Sequence, residues 1–181
     1  MRVITGKARG VQLKTPDGMT TRPTSDRVKE ALFSIIQFEI PAARVLDLFG
    51  GTGQLGIEAL SRGAKSAVFV DAGEPACRLI RENLRRTKLE SDAKVVRSDY
   101  MDYLKRCRET FDIIFLDPPY AEVFLENALK CITEIDILQT GGIIVAECPV
   151  GKELPWNFEG FTRSKDYKYG NTILTIYRKN G

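Results

Sequence analysis

The sequence predicts an α/β fold built on a mostly parallel, doubly wound sheet, and two observations support this prediction. From residue 44 onwards, short apolar runs typical of buried strands alternate with stretches whose apolar residues recur at helical spacing. The chain then ends in two strand-like runs, 161–167 and 172–178, separated by a turn at Tyr169-Gly170-Asn171. Parallel strands with crossover helices, followed by an antiparallel hairpin, give one sheet with helices on both faces.

The N-terminal part of the chain predicts an arm and a helix. The runs 2–5 and 11–14, joined around Gly6 and Gly10, favour a β-hairpin or a loose β-arm. Thr24-Ser25-Asp26 then offers a helix N-cap. Apolar residues from Val28 to Ile36 fall on one face of the helix that follows, and Pro41 closes it.

The remaining elements are predicted from apolar runs and from the residues that end them. Gly63 follows a helical stretch at the position where a left-handed C-terminal cap is common. Five parallel strands and two antiparallel ones give a seven-stranded sheet. The predicted strands are 45–48, 67–71, 95–97, 112–116, 143–147, 161–167 and 172–178, and the helices between them are 54–62, 74–86, 101–107 and 123–134.

Length and composition predict one globular domain. The 181 residues are 43% hydrophobic and 28% charged, which is ordinary for a globular protein. We divide the domain into a basic arm, 1–23, and a Rossmann-like core, 24–181. No apolar stretch approaches the length of a membrane span, and Met1-Arg2 does not open a signal peptide. We therefore expect a cytoplasmic protein that has no membrane partner. We also expect a monomer.

Cysteine and histidine usage excludes several chemistries. The chain has no histidine, so Ser-His-Asp catalysis and a histidine general base are ruled out. The four cysteines lie far apart without a Cys-x-x-Cys pair, which makes a metal site improbable. We expect all four to be small, mostly buried thiols: Cys77, Cys107, Cys131 and Cys148.

The net charge of +3 is unevenly distributed. Residues 1–29 carry seven basic and two acidic side chains, a balance of +5, which leaves −2 for the rest of the chain. A basic arm before a slightly acidic body suggests that a polyanion docks at the N-terminal end, although a solvated basic surface is an equally open interpretation. The candidate RNA-binding residues are Arg2, Lys7, Arg9, Lys14, Arg22 and Arg27, whereas Lys29 is expected to be solvated on its helix.

Residues 47–53, Asp-Leu-Phe-Gly-Gly-Thr-Gly, predict a nucleoside-binding loop. The glycines from Gly51 to Gly56 match the Gly-x-Gly-x-x-Gly pattern, and Asp71 lies twenty residues after Gly51, where it could bond ribose hydroxyls. NAD enzymes share this pattern. Asp47, however, would repel a pyrophosphate and attract the cationic groups of S-adenosylmethionine. The candidate cofactor-binding residues are Asp47, Phe49, Gly50, Gly51, Thr52, Gly53, Asp71, Ser98 and Asp99.

Two of these assignments have a structural alternative. Asp99 follows the third strand, where it is placed for an adenine amino group but could equally cap the next helix. The same alternative applies to Asp47. With Asp71 and Asp117, Asp99 completes an acidic rim at the strand ends that suits a cationic cofactor.

A second motif, Asp117-Pro118-Pro119-Tyr120, follows the strand 112–116 and predicts methylation of an exocyclic amine. The lone pair of such an amine is delocalised into the ring, and hydrogen bonds to two fixed acceptors localise it. Asp117 supplies one acceptor and the Pro118 carbonyl another. Pro119 stiffens the loop, and Tyr120 can stack on the base.

Four rival functions are considered at this stage. A protein-glutamine methyltransferase would more often carry Asn in place of Asp117. An N6-adenine DNA methyltransferase uses the same Asp-Pro-Pro-Tyr motif but usually carries a separate target-recognition region, for which this chain has no room. An NAD-dependent dehydrogenase fits the glycine loop but needs a substrate domain. A cofactor-free RNA-binding module accounts for the basic arm and leaves both motifs unused.

The chain resembles the RsmD family of bacterial 16S rRNA guanine-N2 methyltransferases. The resemblance covers the whole chain and is most specific in the block 22–33, Arg-Pro-Thr-Ser-Asp-Arg-Val-Lys-Glu-Ala-Leu-Phe. Arg9-Gly10, the motif 47–56, the block 58–64 and the motif 117–120 add to it.

This resemblance implies a Rossmann-like class I methyltransferase with an N-terminal β-hairpin extension. It implies S-adenosylmethionine as the methyl donor and guanine 966 of small-subunit rRNA as the target, presented bare or in the small ribosomal subunit. The resemblance implies that residues 49–53 and Asp71 bind the cofactor and that residues 117–120 bind the target base.

Overall fold

The protein contains five α-helices and eight strands in the part of the chain that the structure, a computed structural model, describes: residues 1–16, 26–119, 121–151, 154, 157–158 and 160–181. The helices are α1 (Asp26–Ile35), α2 (Gln54–Ser61), α3 (Glu74–Thr87), α4 (Tyr100–Arg106) and α5 (Ala121–Ile135), with a 3-10 turn at Glu90–Asp92. The strands are β1 (Arg44–Asp47), β2 (Ser66–Asp71), β3 (Ala93–Arg97), β4 (Phe111–Leu116), β5 (Leu138–Pro149), β6 (Asn157–Phe158), β7 (Phe161–Tyr169) and β8 (Thr172–Lys179).

The strands form one sheet in the order β3-β2-β1-β4-β5-β8-β7-β6. The first five strands in this order, β3, β2, β1, β4 and β5, are parallel to one another. Strand β8 runs antiparallel to β5 and to β7. The predicted parallel sheet with an antiparallel C-terminal hairpin is therefore confirmed.

Two details of the sheet differ from the prediction. The two-residue strand β6 pairs with β7 at the sheet edge and adds an eighth strand, too short to show an alternating pattern. Strand β5 begins at Leu138 rather than at 143, and its pairing with β4 is irregular before Ile143. The sequence does not predict the first residues of β5 as a strand, because they include the pair Gly141-Gly142 and adjacent glycines are typical of a turn.

Helices cover both faces of the sheet, as predicted. On one face, Phe33 of α1, Ile57 of α2 and Ile80 of α3 join a single buried cluster with side chains of the sheet. On the other face, Leu104 of α4 and Leu129 of α5 belong to a second cluster. Side chains alternate along each strand, so one strand contributes to both clusters. Every helix in the described ranges is too short or too polar to cross a bilayer.

The N-terminal residues form the predicted β-arm, which packs on the face covered by α1, α2 and α3. Arg2 and Gln12 make an antiparallel bridge, and the Val3 amide donates to the Val11 carbonyl at 3.0 Å. The turn lies against the end of α2: at Gly6, with φ +89°, a Cβ would fall 1.9 Å from the Ser61 carbonyl oxygen. Only glycine fits there. The predicted boundary at 23/24 and the predicted cap residues Thr24 and Ser25 lie outside the described residues.

A buried glutamate fastens the arm to the core. The two oxygens of the Glu58 carboxylate accept the backbone N–H groups of Ile4 and Thr5 at 2.8 and 3.0 Å. Arg62, one turn further along, donates its Nε to the same carboxylate at 2.8 Å. Glu58 is fully buried, so these donors replace the water that it has lost.

Lys29 is fully buried, and the expectation that it is solvated was wrong. Its Nζ donates to the Arg2 carbonyl and lies 3.6 Å from the Glu58 carboxylate. Burial lowers the pKa of Lys29, and the charge of Glu58 opposes that shift. The sequence gives no sign of this pair, because its members lie 29 residues apart on different helices.

Replacing Glu58 by alanine should destabilise the protein strongly, because it leaves Lys29 buried without its counter-ion and two arm amides without acceptors. We expect a loss of about 3–5 kcal/mol in the free energy of unfolding, measured by urea denaturation. The matched control is Glu39→Ala, which breaks the more exposed pair with Arg178 and should cost less than about 1 kcal/mol. Equal losses for the two variants would contradict the arm-fastening role of Glu58.

Candidate active site

A cleft of about 840 Å³ opens at the carboxyl ends of the parallel strands, the edge at which α/β sheets bind ligands. It brings together most of the residues that the two sequence motifs singled out. Those that line it are Asp47, Phe49, Gly50, Gly51, Thr52, Asp71, Ser98, Asp99, Asp117, Pro118 and Pro119. Two candidates are not among the lining residues: Gly53 lies at the N-cap of α2, and Tyr120 lies outside the described residues.

The glycine loop between β1 and α2 is held in a tight turn by backbone hydrogen bonds. The Gly53 amide donates to the Gly50 carbonyl at 2.7 Å, with Gly53 in the left-handed region at φ +80°. The Gly50 amide donates to the Val70 carbonyl at 2.8 Å, which ties the loop to β2. A residue with a Cβ at Gly53 would strain this turn.

Asp71 connects the glycine loop to the loop that follows β2. Its carboxylate accepts the Gly51 amide at 3.0 Å and the Gly73 amide at 2.8 Å. The side chain also lines the cleft. Asp71 therefore orders the loop, and the predicted contact with ribose hydroxyls stays a prediction, which would use the remaining lone pairs of the carboxylate.

Asp47 ends β1 and is only 2% exposed. Its carboxylate accepts the amide of Gly56 at 3.1 Å, across the first turn of α2. Burial raises the pKa of Asp47 to about 7, the Gly56 bond opposes the shift, and the charge of Asp71 adds to it. The cleft thus contains a carboxyl group whose ionised form is poorly solvated and would gain from a cationic ligand.

Asp99 caps α4, as the structural alternative proposed. Its Oδ1 accepts the Met101 amide at 2.8 Å and the Asp102 amide at 3.3 Å. Asp99 is nevertheless exposed and lines the cleft beside Ser98. Capping and a ligand contact are compatible, because only one carboxylate oxygen makes these bonds.

Asp117 lies at the end of β4 and faces two other carboxylates of the cleft. Burial raises its pKa well above the ordinary value, and the charges of Glu147 and Asp47 add to the shift. Glu147 was not predicted as a site residue, although it ends an apolar run in the same way as Asp117 does. A carboxylate directly after an apolar run was the signal that could have found it, although Glu147 lies inside β5 rather than after it.

An aromatic wall that the sequence did not predict lines the cleft. The rings of Phe49 and Tyr100 are 5.1 Å apart, and Tyr100 meets Phe124 edge to face at 5.4 Å. Tyr100 comes from α4 and Phe124 from α5, so the wall is assembled from separate elements. A planar ring could pack against this wall.

Asn83 of α3 joins the glycine loop to the arm. Its Nδ2 donates to the Thr52 carbonyl at 2.9 Å and to the Lys14 carbonyl at 3.1 Å, while its Oδ1 accepts the Lys14 amide at 2.8 Å. Asn83 is fully buried with all these bonds satisfied. Nothing in its sequence context indicated this role.

The described basic side chains of the arm are exposed, and some of them pair with acidic residues. Arg2 lies 3.3 Å from Asp26, and Lys14 pairs with Glu82. Lys7, Arg9 and Arg27 are exposed, and Arg22 lies outside the described residues.

The four cysteines are free and buried, as predicted. Over the described part of the chain, no cluster of three or more Cys, Asp or Glu side chains is arranged to hold a metal ion.

The sheet order and the two motifs that meet at its carboxyl edge define a class I methyltransferase. A family model described as "Conserved hypothetical protein 95" matches residues 1–178. The Bacillus subtilis protein named "Putative rRNA methyltransferase YlbH" is 43% identical over 184 residues, covering 100% of both chains. "Ribosomal RNA small subunit methyltransferase D" of Haemophilus influenzae is 36% identical, covering 98% of this chain and 93% of that protein.

A solved structure extends the match to three dimensions. "Putative methyltransferase yhhF from Escherichia coli" superposes with a TM-score of 0.91 at 30% identity, covering 99% of this chain and 98% of that one. This chain therefore belongs to the RsmD family of methyltransferases. The dehydrogenase and the cofactor-free RNA-binding module do not agree with these matches.

Replacing Asp47 by asparagine should stabilise the ligand-free protein at neutral and alkaline pH. The pKa of Asp47 is about 7 in the folded protein and about 3.8 in an unfolded chain. Between these values the folded state holds a proton that the unfolded state has released, so stability falls as the pH rises. Asparagine removes this loss, and we expect a gain on the order of 2–4 kcal/mol above pH 7.

The measurement is urea unfolding at pH 5 and at pH 8. The advantage of Asp47→Asn should be larger at pH 8. The control is Asp92→Asn, which changes an exposed carboxylate and should leave the pH dependence of stability unchanged. If Asp47→Asn gave the same pH dependence as the parent protein, the burial of an ionisable Asp47 would be refuted.

Proposed function

We propose that this protein transfers a methyl group from S-adenosylmethionine to N2 of a guanine in 16S rRNA, at guanine 966. The observation that carries the proposal is that the Asp117-Pro118 motif and the Asp47 glycine loop open onto one cleft. Membership of a family whose relatives are named small-subunit rRNA methyltransferases supports the choice of substrate.

The cleft has the features that a cationic nucleoside donor requires. Asp47 would face the sulfonium or amino group, whose charge would favour the ionised carboxylate. Among the described residues, the buried Oε1 of Gln54 in the same cleft has no hydrogen-bond partner, so a donor group of the ligand could bond it. Asp71 would hold the ribose, and Ser98 and Asp99 would lie at the adenine amino group.

Bound S-adenosylmethionine supplies an electrophilic methyl carbon, and the protein has to present a nucleophile to it. Asp117 and the Pro118 carbonyl accept hydrogen bonds from the two N–H groups of the guanine amine and so localise its lone pair. The amine nitrogen would take the methyl carbon as the carbon–sulfur bond breaks, so that S-adenosylhomocysteine leaves with the bonding electron pair. The methylated nitrogen would then lose a proton, which Asp117 would accept. The raised pKa of Asp117 makes its carboxylate a stronger base than an ordinary aspartate, which favours this proton transfer.

The amine must leave its base stack to enter the cleft. The guanine is therefore either unpaired in a loop or flipped out of a helix. Tyr120 would stack on its plane, and the ring wall of Phe49 and Tyr100 lies in the same cleft. The exposed cations of the arm would bind phosphates of the surrounding RNA.

The N6-adenine DNA methyltransferase is the second candidate. It uses the same acceptor motif on a different amine. Relatives named for rRNA favour the first candidate.

The deciding experiment is methyl transfer from labelled S-adenosylmethionine to small subunits isolated from cells that lack this protein, followed by nucleoside mass spectrometry. We expect N2-methylguanosine at a single position. Asp117→Ala should lower turnover about a hundredfold or more, because one fixed acceptor is lost, while donor binding measured by equilibrium dialysis is retained.

The control for this substitution is Glu126→Ala, which removes an exposed carboxylate of α5 outside the cleft and should leave turnover unchanged. Near-normal turnover by Asp117→Ala would refute the role of Asp117. N6-methyladenine on DNA, without a label on subunits, would favour the second candidate.

Removing two arm cations should weaken RNA binding without affecting the donor site. For Lys7→Ala/Arg9→Ala we expect a smaller dependence of rRNA affinity on salt, with the slope reduced by about 1 to 2, because fewer phosphates are neutralised. Binding titrations between low and moderate salt measure this slope. The control is Lys105→Ala/Arg106→Ala, which removes two exposed cations of α4 on the other face of the sheet. Equal effects of the two pairs would argue against docking through the arm.

A further inference from the structure

Glu147 is held at a fixed position beside the acceptor motif. In the parallel pair of β4 and β5, Leu116 is in register with Ala146, so the next residues of the two strands are Asp117 and Glu147. On its other side, Glu147 pairs with Leu174 of β8. Because neighbouring strands lie about 4.8 Å apart, the two carboxyl groups emerge side by side from a rigid part of the sheet.

Both side chains enter the same cleft. Alternation along the strands places Asp117 and Glu147 on the face that carries Phe115 and Val145, and both carboxylates line the cleft wall. In keeping with this proximity, the charge of Glu147 adds to the raised pKa of Asp117. Two neighbouring carboxylates are costly unless a ligand offers them adjacent donors.

Guanine offers such a pair of donors, whereas adenine does not. The Watson–Crick edge of guanine presents the N2 amine and, next to it, the N1–H group, and both donate. Adenine presents its N6 amine next to N1, which carries a lone pair and only accepts. An acceptor beside the amine site therefore pairs with guanine and faces a second acceptor in adenine, and such a mismatch is strongly rejected.

We infer that Glu147 is the residue that selects guanine, by accepting a hydrogen bond from N1–H while Asp117 and the Pro118 carbonyl hold the N2 amine. This inference rests on the proposed function, whose acceptor motif it extends. It assigns to one side chain the choice between the two candidate substrates, guanine and adenine.

The test compares two bases that carry the same reacting amine. Small subunits are reconstituted with 16S rRNA that has either guanine or 2-aminopurine at the target position. In 2-aminopurine, N1 carries a lone pair in place of N1–H. We expect the parent protein to prefer guanine in kcat/KM by about 10- to 100-fold. In Glu147→Gln, whose amide can donate to N1, the preference should shrink about tenfold or more.

The ratio of kcat/KM for guanine to kcat/KM for 2-aminopurine separates base selection from other effects of the substitution. Loss of the Glu147 charge also changes the ionisation of Asp117, but that change acts on both bases alike and leaves the ratio unaltered. The missing O6 of 2-aminopurine is the same for parent and variant and cancels. The control is Glu126→Gln, an exposed substitution that should leave both rates unchanged.

A second variant covers the case in which Glu147→Gln fails to fold, which thermal unfolding and binding of S-adenosylhomocysteine would reveal. Glu147→Asp keeps the charge but shortens the reach to N1–H, so it should lose rate on guanine more than on 2-aminopurine. An unchanged ratio in a folded variant overturns the assignment of Glu147. Failure of the parent protein to methylate guanine on small subunits would instead overturn the proposed function.

Discussion

The accumulation of carboxylates at one edge of the sheet is the constraint on which the rest of the site depends. Asp47, Asp117 and Glu147 lie near the carboxyl ends of three neighbouring parallel strands. Burial raises the pKa of Asp47 and of Asp117; the charge of Asp71 adds to the first shift, and the charges of Glu147 and Asp47 add to the second. A free protein gains nothing from this arrangement, since an uncharged edge would be more stable. A ligand with cationic and hydrogen-bond donor groups would offset the cost of burying these carboxylates. The carboxylates therefore lower the stability of the ligand-free protein and strengthen the binding of such a ligand.

The opposite strategy is used where the arm meets the core. Glu58, Lys29 and Asn83 are equally buried, yet each has polar partners. The Glu58 carboxylate accepts hydrogen bonds from arm amides and Arg62, and Lys29 contacts the Arg2 carbonyl and Glu58. Asn83 bonds the arm and the glycine loop. Satisfied buried polar groups fix one arrangement of the backbone rather than bind a ligand. They hold the basic arm beside the loop at the mouth of the cleft, so a polyanion bound to the arm would lie near the reacting groups.

The same residue type therefore has two meanings in this chain, depending on what surrounds it. Glu58 of α2 follows the glycine loop by only a few residues and belongs to the scaffold, while Glu147 of β5, 89 residues later, belongs to the cleft. Asp71 and Asp99 are intermediate, because each organises a loop or a helix end and still faces the cleft. Distance along the chain says nothing about these roles. Sheet register and solvent exposure decide them.

The sequence by itself determined the fold class, the strand and helix order and the positions of both motifs, because these depend on local periodicity and on residues that end each strand. It missed the eighth strand and the start of β5, where two residues or a Gly-Gly pair carry no local signal. It also missed Lys29, Asn83, Glu147 and the aromatic wall. Only the tertiary structure decided these, because each depends on which distant elements are brought into contact, and burial changes the chemistry of a side chain only once those contacts exist.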